Sequence, residues 1–339
     1  MNSSVVGLPT VDRLQRLDGV RAASIILVMM GHLLPLGPSA LGGNLTAATL
    51  GMSLFFCLSG FLITKALLEN PDIVEFAIRR LARILPASYA FVLIMSVATD
   101  KVAVAQPSML LFYSNYQTDA LFFGVSHFWS LCVEMHFYLF AAIAVAIGGR
   151  RALYFLPALC IVITGIRIWD GDAVSIETHL RVDDILAGAT LCLFHFPNER
   201  FARVFEPARR FLGKSLFLIF PFWLASGNPH FEALLFVRPY LTFLFVAALM
   251  YSPLKLIEML LSNSVSRYIA EISYALYLAH GALRIGYFDS DNKIELYLIK
   301  RPQTVALTFL IAHISTFYWE AWWRTRAKRL ISAYRKRRG

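Results

Sequence analysis

The chain has 339 residues, of which 58% are hydrophobic and only 16% charged, and its mean hydropathy is +0.59. A water-soluble domain carries more charge and less apolar surface, so these proportions exclude a purely soluble fold and predict an all-α, polytopic transmembrane helical bundle. The net charge of +10 is read as membrane topology, because Lys and Arg gather at the ends of apolar runs; no nucleic-acid partner is expected.

About ten spans are predicted from the apolar runs, over residues 22–38, 47–68, 84–99, 127–147, 152–169, 183–196, 213–228, 232–251, 268–287 and 303–323. The segment 107–116, PSMLLFYSNY, is apolar but too short to span, and reads as a re-entrant or interfacial piece. Arginines 13, 16, 21, 79, 80, 83, 150, 151, 200, 203, 209 and 210 fall on one side if the N-terminus is cytoplasmic. Residues 1–21 are then a cytoplasmic N-terminal segment, 22–323 the membrane domain and 324–339 a basic cytoplasmic tail, with both termini in the cytoplasm. The tail is suited to an anionic membrane lipid surface. Cys57, Cys132, Cys160 and Cys192 lie in apolar runs without metal-ligand spacing, so they read as small buried hydrophobes and no metal site is expected.

Ionisable groups inside a span are costly and mark candidate sites. In the stretch LDGVRAASIILVMMGH, Arg21 and His32 are eleven residues apart, which returns them to one helix face, about 16 Å apart along the axis. Asp18 precedes Arg21 by one turn and is placed to pair with it. His32 reads either as a core histidine satisfied by a carbonyl or as a functional base. Ser130, Glu134 and Tyr138 recur at i, i+4, i+8 and form one polar stripe. Counting from opposite ends of their helices, Glu134 and His32 are expected at similar depth, where the carboxylate would orient the imidazole. The other reading of Glu134 is a structural interhelical bond. Arg80 and Arg83 lie one turn apart and suit phosphate, or serve as ordinary anchors. Arg181, Asp183, Arg238 and His280 are weaker candidates near the outer ends of later spans.

Six of these stretches, in order, resemble the acyltransferase-3 family of integral membrane acyltransferases. RLDGVRAASIILVMMGH is similar to the family's first helix with its Arg-x10-His motif, and GMSLFFCLSGFLIT to its second span, with Ser59 and Gly60. IRRLARILPASY carries an Arg-x-x-Arg, and HFWSLCVEMHFYL resembles its Trp-Ser-Leu-x-x-Glu segment. RVDDILAGA and EISYALYLAH resemble later spans. The resemblance covers residues 13–325. It implies a membrane-bound O-acyltransferase moving an acyl group, most often acetyl, from cytoplasmic acyl-CoA to a hydroxyl of a surface polysaccharide or lipid-linked sugar. In that reading His32 and Glu134 are catalytic, and Arg21, Arg80 and Arg83 bind acyl-CoA. Asp18, Ser130, Tyr138, Arg181, Asp183 and His280 are supporting or acceptor-side residues. Acetyl-CoA is a substrate and no bound cofactor is implied. The expected location is a bacterial cytoplasmic (inner) membrane.

The chain departs from the family pattern at Met135, where a second acid is common, at Ala279, where a Trp often precedes the last His, and at Asp184. Some members carry a further extracytoplasmic hydrolase-like domain, which is not expected here. Two other readings stand beside this one: acylation of a lipo-oligosaccharide signal or small secreted molecule, and a proton-coupled transporter using His32 and Glu134 as a relay.

Overall fold

A computed structural model of the chain describes residues 10–99, 107–122, 124–197, 199–284 and 289–338. Among these residues there are helices and turns and no strand. In chain order the main helices are α1 (Thr10–Leu33), α2 (Gly43–Glu69), α3 (Ile73–Ala98), α4 (Trp129–Gly148), α5 (Leu156–Asp170), α6 (Asp183–His195), α7 (Glu199–Lys214), α8 (Leu216–Ala225), α9 (Glu232–Tyr251), α10 (Lys255–Leu261), α11 (Ser264–Ala282), α12 (Arg301–Ile314) and α13 (Ala321–Arg338).

Among the described residues, four stretches are long and apolar enough to cross a membrane: α2, α3, the run Ser126–Asp170 and α9. The predicted span at 22–38 falls on α1, which is 24 residues long but charged along its first half, and the remaining predicted spans correspond to shorter or interrupted helices. The span predicted at 213–228 contains the ten-residue helix α8, and the one at 303–323 is broken by a π-turn, Ser315–Glu320. Burial sorts the long helices. In its most apolar window α2 is 83% buried, against 39% for α3, so α2 is the central helix and α3 a peripheral one.

Small residues let α2 touch its neighbours. Gly60 on α2 lies against the Ile185 carbonyl, and Gly188 on α6 lies against the Cys57 carbonyl, so a Cβ at either position would strike backbone. This reciprocal contact is how membrane helices gain packing when water supplies no driving force between them. All four cysteines are free and buried.

Polar side chains close the helix ends. Asp72 caps α3 by accepting from the amides of Val74 and Glu75, both at 3.0 Å, satisfying donors that have no partner within the helix. Arg16 is 1% exposed and donates to the carbonyls of Leu249 (3.2 Å), Met250 (3.4 Å) and Ser252 (2.7 Å). It therefore ties α1 to the C-terminal end of α9, where unpaired carbonyls favour a cation.

The basic segment from residue 324 is helical and docked. Arg335 grips Glu75 with two bonds of 2.5 and 2.6 Å, and Arg338 reaches Asp72 at 2.6 Å. The segment 107–116 folds back into the bundle, with Met109 and Phe112 buried and Phe112 stacked on Phe128 at 5.6 Å.

Candidate active site

Two cavities lie along the same four helices, α1, α2, α4 and α11. The first is small, about 30 Å³, and is lined by Arg21, Ser59, Arg80, Arg83, Glu134 and Tyr138. Its volume admits about one water molecule. The second is about 430 Å³ and is lined by His32, His127, Trp129, Arg181, Tyr277 and His280, among others.

In the first cavity the structure brings together Arg21 from α1, Arg80 and Arg83 from α3, and Glu134 from α4. The Glu134 carboxylate is 5% exposed. Its Oε1 accepts from the Ser59 hydroxyl at 2.6 Å and from the Tyr138 hydroxyl. The Arg80 guanidinium lies 5.8 Å from the ring centres of both Phe76 and Tyr138. Three guanidiniums thus surround one carboxylate. The arrangement is net cationic and fork-shaped donors converge in it, which is the chemistry that recognises phosphate.

Asp18 and Arg21 lie close enough for their charges to interact, as their one-turn spacing suggests, without a direct hydrogen bond between them. Arg21 also lines the cavity with Arg80 and Arg83.

The expected pairing of Glu134 with His32 does not form. His32 lies in the last turn of α1, which ends at Leu33, and not deep in a span continuing to residue 38. Glu134 is five residues past the start of α4, about 8 Å further along its axis than Trp129. The two side chains therefore line different cavities.

The partner of His32 is His280. Nδ1 of His32 lies 3.1 Å from Nε2 of His280, and the rings stack at 5.1 Å with an interplanar angle of 22°. Nδ1 of His280 lies 2.7 Å from the Tyr277 carbonyl. A carbonyl only accepts, so His280 Nδ1 carries the proton. With neutral rings His280 Nε2 is then an acceptor, and His32 Nδ1 must donate to it. The chain Tyr277 carbonyl, His280, His32 leaves Nε2 of His32 unprotonated. An imidazole fixed in this tautomer can accept a proton or attack an acyl carbon.

His127 completes a three-histidine cluster that the sequence reading left out. Its ring centre is 4.8 Å from that of His280 and 5.1 Å from that of Tyr277, and its Nε2 is buried without a hydrogen bond. The signal was present: 127, 130, 134 and 138 are spaced i, i+3, i+7, i+11, one helical face. Ser130 contributes through Tyr277. The two hydroxyls are 2.6 Å apart, and the Tyr277 hydroxyl donates to the His127 carbonyl at 2.6 Å.

The two cavities are partitioned by stacked rings. Phe55 lines the first and Tyr277 the second, with centroids 5.7 Å apart and planes 13° from parallel.

Beside the second cavity is a buried ion cluster. Asp183 pairs with Arg167 at 3.0 Å and accepts from Thr164 at 3.0 Å. It is fully buried and locked among α5, α6 and α9, because Arg167 also donates to the carbonyls of Leu235 and Phe236. Asp183 is thus a structural ligand of Arg167 and does not line the cavity. Asp184 accepts from Ser53 at 2.6 Å and pairs with Arg238 at 3.3 Å and Arg181 at 3.4 Å. Of this group only Arg181 lines the second cavity.

Comparison with known proteins gives these features a frame. The Staphylococcus aureus (strain COL) protein named "Putative O-acetyltransferase SACOL0978" is 27% identical over 346 residues, covering 88% of this chain and 55% of the relative. The O-acetyltransferase OatA of Staphylococcus aureus (strain NCTC 8325 / PS 47) is 23% identical over 371 residues, covering 95% of this chain and 59% of the relative. The chain therefore spans a little over half the length of the curated relatives it matches. No solved structure matches it. The family model described as an acyltransferase domain, Acyl_transf_3, matches residues 14–330. That match takes in both cavities and every helix that lines them, and the chain belongs to the acyltransferase-3 family.

Proposed function

We propose that the protein is a multi-pass inner-membrane O-acetyltransferase that moves an acetyl group from cytoplasmic acetyl-CoA to a hydroxyl of a surface glycan or lipid-linked sugar. The observation that carries this reading is the tautomer of His32, fixed by His280 so that an unprotonated Nε2 is available in a cavity large enough for a sugar. The relatives named as O-acetyltransferases support the acyl group and the oxygen acceptor.

The half-buried arginines 21, 80 and 83 take the donor's diphosphate at the cytoplasmic end of the bundle, their side chains parting to widen a cavity that otherwise admits about one water. Glu134, held by Ser59 and Tyr138, keeps their guanidiniums apart and oriented. The pantetheine arm extends along α1 toward His32, past the Phe55–Tyr277 pair. His32 Nε2 accepts the proton of the acceptor hydroxyl as its oxygen attacks the thioester carbonyl. The C–O bond forms, the C–S bond breaks, and the leaving thiolate takes the proton back from His32. General-base assistance of this kind contributes about 10²- to 10⁴-fold. His280 and the Tyr277 carbonyl act as positioning groups.

The test is incubation of the purified full chain in lipid nanodiscs with acetyl-labelled acetyl-CoA and a glycan extract. Label in ester linkage to sugar is expected. Solute flux through the protein with no labelled ester would overturn the reading in favour of a transporter.

A further inference from the structure

We infer that the acceptor carries an anionic group, a carboxylate or phosphate, which Arg181 binds in the His32 cavity. The inference rests on the O-acylation reading above and names a property of its acceptor.

Charge count comes first. Arg167, Arg181 and Arg238 face Asp183 and Asp184, three cations to two anions, and all five are at least 98% buried. Burying an unbalanced charge is costly unless a partner arrives. Arg167 and Arg238 are engaged at 3.0 and 3.3 Å by Asp183 and Asp184. Asp184 also accepts from Ser53, so its lone pairs are shared among three donors. Arg181 is left with a 3.4 Å contact, and neither its Nε nor its Nη1 makes a hydrogen bond. Arg238 also has an unbonded Nε and Nη1 but does not line the cavity, so Arg181 is the under-paired guanidinium that a ligand in the His32 cavity can reach.

Placement comes second. Arg181 is the member of this cluster that lines the His32 cavity. Its guanidinium lies 5.8 Å from the Phe56 ring centre and 5.7 Å from that of Trp129, so aromatic walls hold it in place. Among the described residues that line the cavity there is no carboxylate, whereas Arg284 and three histidines are present. A cationic cavity without an acid, holding a fixed and under-paired guanidinium, is built for an oxyanion. Trp129 offers the apolar face on which a sugar ring rests.

The test uses the full chain in nanodiscs and three probes: methyl β-D-glucuronide, glucose 6-phosphate and methyl β-D-glucoside. Binding is read by quenching of tryptophan fluorescence. Anionic probes are expected to bind at least about tenfold more tightly than the neutral one, the scale of a charge-assisted hydrogen bond. Preference for glucuronide identifies a uronate-type acceptor, and preference for the phosphate a sugar phosphate. Arg181→Gln should remove the preference and Arg181→Lys should retain part of it. The wild-type comparison stands alone if the Gln variant does not fold. Equal binding of charged and neutral probes overturns the inference and leaves the O-acylation reading intact. Displacement of the glucuronide by free CoA also overturns it, because the anion site would then belong to the donor. Binding of none of the three counts against a sugar acceptor and takes both readings down.

Discussion

Nδ1 of His32 donates to Nε2 of His280 across 3.1 Å, and the Tyr277 carbonyl fixes His280 in the tautomer that accepts. The ring nitrogen of His32 that can do chemistry is thus set by a residue 248 positions away in the chain. Replacing His280 by Ala should lower kcat for acetyl transfer by about 10- to 100-fold, the scale seen when a partner that orients a histidine is lost. The KM for acetyl-CoA should stay within about twofold, since ground-state donor binding is elsewhere. His280→Asn, whose side-chain oxygen can accept from His32, should recover part of kcat. A parallel change in kcat and KM, with no recovery by Asn, would indicate a packing defect instead.

The arginine cavity makes a separate prediction. Arg80→Gln and Arg83→Gln should each raise the KM for acetyl-CoA by about 10- to 100-fold, the loss of one charge-assisted contact. The kcat at saturation should change little. Because the contact is ionic, wild-type KM should also rise with salt more steeply than that of either variant. Steady-state kinetics over a salt series measures both.

On the proposed reading Glu134 belongs to the donor side, because it lines the cavity of the three arginines. Glu134→Gln keeps an acceptor oxygen for Ser59 and Tyr138 but removes the charge among the three arginines. The expected result is an altered KM for acetyl-CoA with the pH dependence of kcat unchanged. A shift of the pH profile would place the carboxylate beside His32, contrary to the geometry.

The Phe55–Tyr277 stack separates the two cavities. Phe55→Ala should open a water path to the thioester and raise hydrolysis of acetyl-CoA in the absence of acceptor. Release of free thiol, followed with a thiol reagent, reads this directly. Unchanged hydrolysis would show that the stack is not the partition.

Much of the site was legible along the chain because its spacings are helical. The eleven-residue step does put Arg21 and His32 on one helix, one in each cavity, and the Arg80–Arg83 pair does converge with Arg21. What the chain does not carry is which faces meet. Rise counted from helix ends puts Glu134 and His32 at one depth only if α1 continues past Leu33, where it ends. Rise carries no information on how each helix is rotated about its axis. Nothing near His280 in sequence points to His32, so the chain alone marks it only as a weak candidate. Arg16 and Arg167 looked like topology markers or passed unnoticed, yet both are buried and tie helices together through carbonyls. A buried arginine and an anchoring arginine look the same until their partners are known.

The central claim is that Nε2 of His32 is the base for acyl transfer. It is tested most directly by comparing wild type with His32→Gln in nanodiscs, measuring label transfer from acetyl-CoA to acceptor alongside equilibrium binding of CoA. The account predicts a loss of about 10²- to 10⁴-fold in transfer with CoA affinity preserved. A folded variant that transfers at the wild-type rate would contradict it.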